Sequence, residues 1–472
     1  MMKLTYFKAL ILLLSLVPSI TLAQDNQQKK CDSLFHLVKK YIDEKNVSLI
    51  YSLTSKEFKA TATENDLQAF FEKQIYPLGE IRSASFISAR DNLYKYQLVF
   101  EKNSLAFSFS VDQDNKLVNP LFSPFVLVTG PVLSSNPLKS KLDKKVDSMV
   151  MPFMKRPDAV GLSIGIIKEG KTYTYGYGTT QKEKEQLPDA NTIFEIGSIT
   201  KTFTSAVLAY YVNKGKVSLT DPITKYLPDS MAVNPELQKI SIVNLSNHTS
   251  GLPRLPGNFF NKNTDGLNPY KNYTPQLFFT SLKNCKLDAV PGTVYAYSNT
   301  GPGLLALILE RISGKTYETL VKEIITGPLN MKSTFQHLTP ELSKRFVKVY
   351  GLKAVEAKAW DFDALAGCGA LKSTVNDLLT YAQHNMESGD PDLSAAFNLS
   401  HEVTFSKQPA VGLGWHLLQR TGELYYWHNG GTGGSRSFLA FNIKKKTAIV
   451  LLANSADEIT AFAFEMLPKL LE

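Results

Sequence analysis

Cysteine is scarce in this chain. Its 472 residues hold three, Cys31, Cys285 and Cys368, too dispersed for a metal-ligand cluster and too few for a disulfide framework at this length. One pair stays open in an oxidising compartment, and no metal or cofactor is expected. Blocks of like charge are missing too. The formal net charge is +9, but the lysine triplet Lys444-Lys445-Lys446 reads as a hairpin turn between apolar strands. This balance suits an anionic envelope surface and argues against a nucleic-acid partner. No internal repeat or low-complexity tract is evident. A membrane-spanning run is absent as well: Ala9 to Ala23 is interrupted by Pro18 and falls short of the roughly 20 apolar residues a span needs. With Lys3 and Lys8 before it and Thr21-Leu22-Ala23 at its end, the run reads as a cleaved secretory signal over residues 1–23. The mature chain is then secreted or periplasmic, with no stable membrane span. Cys31 follows Gln28-Lys29-Lys30, which does not suit lipidation.

What is present is an ordinary folded composition, 43% apolar and 20% charged, at a length that suggests two to three domains. Leu34, Phe35, Val38, Tyr41 and Ile42 recur at helical spacing, as do Leu67, Phe70, Phe71 and Ile75. Leu98-Val99-Phe100 and the alternating Phe107, Phe109 and Val111 read as strands. Residues 24–125 therefore form a small α+β module that resembles cystatin-like or nuclear-transport-factor-like domains. Residues 126–138 have linker composition. From residue 139 a second domain begins with an amphipathic helix (Leu142, Val146, Met149, Val150). It continues with a hairpin, Leu162 to Ile167 and Lys171 to Tyr177, turning at Lys168-Glu169-Gly170. The chain is then mostly helical to about residue 385. Strand signals return in Gly412 to Gln419, Glu423 to Trp427, Ser435 to Ile443 and Thr447 to Ala453, before a closing helix from Ile459 to Leu471. Strands at both ends of a helical middle predict one antiparallel sheet beside a helical lobe, with a cleft between them.

Within that middle, Gly197 allows a sharp turn ahead of a buried helix. Ser198 then lies at a helix N-terminus, where free N–H groups and the dipole favour negative charge. Lys201 shares its face, three residues on. A desolvated lysine can take the proton of a serine nucleophile, and this is the chain's single Ser-x-x-Lys. An isolated Ser-x-x-Lys is more often a surface coincidence, so the weight falls on two later stretches. Tyr295-Ala296-Tyr297-Ser298-Asn299, bracketed by Gly and Pro, is a tight loop presenting a phenol and an amide. Trp427-His428-Asn429-Gly430-Gly431-Thr432-Gly433-Gly434 leaves one strand and enters another through four glycines, which let backbone N–H groups approach a ligand.

In this order, Ser-x-x-Lys, Tyr-x-Asn and His-x-Gly resemble the serine β-lactamase and penicillin-binding protein family, in its class C β-lactamase, D,D-carboxypeptidase and esterase branch. The similarity covers about residues 140–472. It extends to Leu245-Ser246-Asn247-His248-Thr249-Ser250-Gly251-Leu252-Pro253, to Ala366 through Thr374 and to Gly412-Leu413-Gly414-Trp415. The resemblance implies an α+β hydrolase domain with a five-stranded antiparallel sheet and an all-helical lobe. It implies Ser198 as acylated nucleophile, Lys201 as its proton acceptor and Tyr297 as relay to the leaving group. Asn299 would orient the lysine and bind the substrate amide. The oxyanion hole would be the backbone N–H groups of Ser198 and Gly431, and His428, Asn429 and Gly430 would line the substrate. His248 reads as structural.

Class C β-lactamases carry lysine where this chain has His428. Histidine, with a reference pKa near ~6.5, supplies less positive field at neutral pH, and Asn429 replaces a threonine. The expectation is a D,D-peptidase or esterase acting on a small molecule or peptide, peptidoglycan among the candidates. The alternatives are a class C type β-lactamase, a non-catalytic penicillin- or cell-wall-binding module, and a chain whose N-terminal module is the working part.

Overall fold

The computed structural model describes residues 21–90, 92–125, 131–182, 184–231, 233–351, 354–420, 422–457 and 459–471. Residues 1–20 of the expected signal and residues 126–130 of the expected linker lie outside them. Two compact units emerge, Met1–Leu127 and Val128–Glu472. All three cysteines are free thiols. Among the described residues, no helix is long and apolar enough to cross a membrane.

The first unit is α+β. Helix α1 (Thr21–Asp43) buries Leu34, Phe35, Val38 and Ile42, a stripe at helical spacing. Shorter helices continue to Leu78. Four antiparallel strands follow in spatial order: β1 (Ile81–Arg90), β2 (Leu93–Phe100), β3 (Ser104–Val111) and β4 (Leu117–Pro124). Tyr94, Tyr96, Leu98 and Phe100 alternate inward from β2, as Phe107, Phe109 and Val111 do from β3. The Phe35 ring stacks on Tyr96 with centroids 3.9 Å apart, tying the helix to the sheet.

The second unit opens with α2 (Lys141–Met154), whose N-terminus is closed by a Ser140–Asp143 capping box. The hairpin is β5 (Gly161–Lys168) and β6 (Lys171–Gly178). A two-residue strand β7 (Phe194–Glu195) leads into the Ser198 turn and then α3 (Thr200–Asn213). The helical lobe includes α4 (Thr300–Ser313). Strand β8 (Lys372–Ser373) pairs with β7 ahead of α5 (Val375–Met386). The chain ends with β9 (His416–Arg420), β10 (Glu423–Gly431), β11 (Arg436–Asn442), β12 (Thr447–Ala453) and α6 (Thr460–Leu471).

The main sheet runs β6-β5-β12-β11-β10-β9, all antiparallel. It has six strands where the family resemblance implied five. Its β10 edge is closed by β9, expected over Gly412 to Gln419 and limited to His416–Arg420 by the bend at Gly414. The short β7–β8 pair was unforeseen, because two residues carry no periodicity. Strand β12 is buried along its whole length. Ile449, Leu451 and Ala453 face a core shared with Val146, Phe153, Met466 and Leu470 of the outer helices. Ala448, Val450 and Leu452 face the opposite core, with Val375, Leu378 and Phe203 of the helical lobe. A strand covered on both faces reads as continuous apolar sequence, as this one does.

Candidate active site

The site is assembled where α3 begins, between β10 and the loop carrying Asn299. Ile196 N donates to Leu371 O, and Leu371 N donates to Thr200 Oγ1, so the segment Ala366 to Thr374 backs the Ser198 turn. Gly197 adopts φ +47°, and a Cβ there would stand 2.6 Å from Gly431 N. A Cβ on Gly430 would come within 2.0 Å of Ile196 O and 2.9 Å of Ser198 N. Only glycine lets the two backbones approach this closely. The Ser198 and Gly431 peptides are neighbours for that reason.

Lys201 is 1% exposed. Its Nζ lies 2.9 Å from Ser198 Oγ, 2.9 Å from Asn299 Oδ1 and 2.7 Å from Cys368 O. Asn299 stands at the N-cap position of α4, but its amide serves the site: Nδ2 donates to Tyr270 Oη at 3.0 Å. Tyr297 brings its ring, centred 4.9 Å from Lys201 Nζ, 5.1 Å from the Arg254 guanidinium and 4.4 Å from the His248 ring. Its hydroxyl makes no hydrogen bond to Ser198 or Lys201.

The remaining expected residues are placed differently. His428 is fully buried. Its Nδ1 lies 2.6 Å from Asn429 O, and because a carbonyl only accepts, Nδ1 carries the proton. Nε2 is then a bare acceptor with no partner. Burial, with His416 and Lys201 adding to it, holds the imidazole well below the ordinary histidine range. Asn429 points to the other face of the sheet, where Nδ2 donates to Thr460 Oγ1 at 2.9 Å. Gly430 contributes backbone alone. The structure thus brings Ser198, Lys201, Tyr297, Asn299, Gly430 and Gly431 together. It sets His428 beneath Tyr297, ring centroids 6.3 Å apart, and ties Asn429 to the last helix.

Besides His248, read from its motif as structural, several neighbours were not singled out from the sequence. His248 accepts the Ser298 N–H at Nδ1, 3.2 Å away, which fixes the Tyr297 loop. His416 Nε2 lies 2.7 Å from the Tyr295 hydroxyl, and its ring is 5.0 Å from His428. Burial pushes His416 down to about 4 and His248 well below its usual value. Glu195, 3% exposed, accepts from Trp360 N–H, Thr432 Oγ1 and Ser435 Oγ at 2.6, 2.7 and 3.2 Å. Burial raises its carboxyl, against the pull of Lys372. A lone acid between Phe194 and Ile196 was the available signal for it. Among the described residues, no group of histidines, cysteines or acids is arranged to hold a metal ion.

A Beta-lactamase family model matches residues 146–465. A beta-lactamase of Pseudomonas fluorescens is 30% identical over 277 residues, 58% of this chain and 73% of that protein. The D-alanyl-D-alanine-carboxypeptidase/endopeptidase AmpH of Escherichia coli (strain K12) is 29% identical over 320 residues, 63% of this chain and 80% of AmpH. A solved class C beta-lactamase superposes with a TM-score of 0.64 at 25% identity, covering 72% of this chain and 99% of its own. Fold and family match agree, and the chain belongs to the beta-lactamase family of serine hydrolases.

Proposed function

We propose that the protein is a secreted hydrolase that forms an acyl-enzyme on Ser198 and cleaves a peptide ending in a D-amino acid, or a small ester, in preference to a β-lactam. The observation that carries this reading is the three-way coordination of Lys201 Nζ. As an amine, Lys201 has two N–H groups for Asn299 Oδ1 and Cys368 O, and its lone pair then meets the Ser198 O–H. Ser198 Oγ attacks the carbonyl carbon as its proton passes to Lys201. The oxyanion is held by the N–H groups of Ser198 and Gly431. Breakdown expels the amine or alcohol, which takes a proton through Tyr297. Water then attacks the acyl carbon and returns the proton to Ser198. Apo hydrogen bonds of catalytic groups often tighten only with substrate, which accommodates the unbonded Tyr297 hydroxyl. The His428 ring, centred 6.3 Å from that of Tyr297 and held neutral by burial, brings it no cation.

The preference against β-lactams rests on His428 and Asn429. A buried neutral imidazole and an amide engaged by Thr460 replace the lysine and threonine of class C enzymes. The cystatin-like module is proposed as an accessory domain.

The test is labelling with a fluorescent penicillin or fluorophosphonate, in the wild type and in Ser198→Ala. Labelling is expected to vanish in the variant, and labelling that persists would refute the assignment. Turnover of a D-Ala-D-Ala peptide, a p-nitrophenyl ester and a chromogenic cephalosporin, compared directly, is expected to be slowest for the cephalosporin.

A further inference from the structure

The basic side chains around Ser198 are nearly all engaged. Lys201 is buried, its Nζ within hydrogen-bond distance of three partners. Arg436 Nη1 donates to Thr432 O and Ser435 O, both at 2.8 Å. His428 is buried, its Nδ1 proton directed to Asn429 O. Arg254 differs. It is exposed, and its guanidinium makes no hydrogen bond or ion pair with any described residue.

Its backbone, by contrast, is fixed to the site. Arg254 O accepts from Asn299 N at 2.8 Å and Thr300 N at 3.3 Å, and the preceding Pro253 O accepts from Ser298 Oγ at 3.0 Å. The side chain then lies over the Tyr297 ring, 5.1 Å from its centroid. That is cation–π distance, which holds the guanidinium beside the reacting groups without using its N–H donors. Five unpaired donors in a planar fork match a carboxylate bidentately.

We propose that Arg254 is the residue that docks a carboxylate of the substrate, in the role that His428 and Asn429 are not placed to fill. This rests on the reading of Ser198 as nucleophile and narrows its substrates to anionic ones. The carboxylate has two sources, the C-terminus of the leaving D-amino acid or an acidic group on the acyl side.

Binding tests this without turnover. In the Ser198→Ala protein, calorimetry compares an N-acyl-D-Ala-D-Ala peptide with its C-terminal amide, and N-succinyl- with N-acetyl-glycine methyl ester. The anionic member of one pair is expected to bind at least ~10-fold more tightly, and the pair identifies the source. That margin is expected to collapse in Ser198→Ala/Arg254→Ala, to recover in part with Arg254→Lys, and to shrink in high salt. Equal binding within both pairs, no binding of any member, or a margin that survives Arg254→Ala would overturn the proposal. Loss of Ser198-dependent labelling in the wild type would instead sink the catalytic reading, leaving the binding result to stand alone.

Discussion

Oε2 of Glu195 accepts the Thr432 hydroxyl at 2.7 Å, so the strand entering the Ser198 turn also holds the residue after Gly431. One carboxylate thereby couples the Ser198 turn to the loop that carries Gly431. Glu195→Ala strands Thr432, Ser435 and the Trp360 N–H in a buried setting and removes a charge that favours the Lys372 ammonium. A stability loss of roughly 3–5 kcal/mol is expected in denaturant titration. The milder Glu195→Gln is expected to fold and to lower kcat for a p-nitrophenyl ester by about 10-fold or more, with a smaller change in KM. An unchanged kcat would mean that the loop is positioned without it.

Gly197→Ala tests the backbone contact itself. Its Cβ would meet Gly431 N at 2.6 Å, in a backbone conformation that disfavours side chains. The labelling rate is expected to fall by about 10²-fold, as when an oxyanion donor is lost. The strain at positive φ adds about 1 kcal/mol of instability. Wild-type labelling would separate Gly431 from oxyanion binding.

Acid sensitivity follows from the buried imidazoles. His416 is held at about 4 and His401 at about 3, both by burial, against an unfolded value of 6.5. Between these values the unfolded chain takes up protons that the folded chain refuses. Stability is therefore full above pH 6.5 and falls as pH drops toward 4. For His416 alone the loss reaches roughly 3 kcal/mol. Thermal melts of His416→Gln between pH 7 and 4 are expected to show a shallower decline than the wild type. Parallel curves would contradict this.

The central strand supplies a packing test. Leu451 is fully buried on the face of β12 that meets the outer helices. Leu451→Ala is expected to cost about 2–5 kcal/mol, read as a shifted denaturation midpoint. A loss below about 1 kcal/mol would show that the helices relax into the space.

Much of this was legible before any coordinates. The apolar run of β12, the hairpin at Glu169-Gly170 and the helix after Ser198 announce themselves by periodicity and turn chemistry. Ser198, Lys201, Tyr297 and Asn299 are recognisable because each chemistry-bearing residue sits in a short ordered motif. The roles of His428 and Asn429 were harder to read, since strand alternation sends neighbours to opposite faces and the sequence does not say which face meets substrate. Asn429 belongs to Thr460 for that reason. The loop from Arg254 to Tyr273 is recognisable from the family resemblance as one that shapes the pocket, but the places of Arg254 and Tyr270 are not, because no period links a residue of an irregular loop to its neighbours in space. Cys368 acts through its carbonyl, which residue identity does not reveal.

The pairing of β5 with β12 joins residues such as Leu162 and Ala453 from opposite ends of the hydrolase unit. The strand made nearly last is therefore an interior one. A nascent chain stopped before Thr447 has no smaller sheet to settle into, because β5–β6 and β9–β11 are left as separate pieces with no strand between them. Completion of the sheet thus waits for β12, and such long-range pairing is slow. A nonsense mutation just before Thr447 would remove the keystone rather than trim an edge.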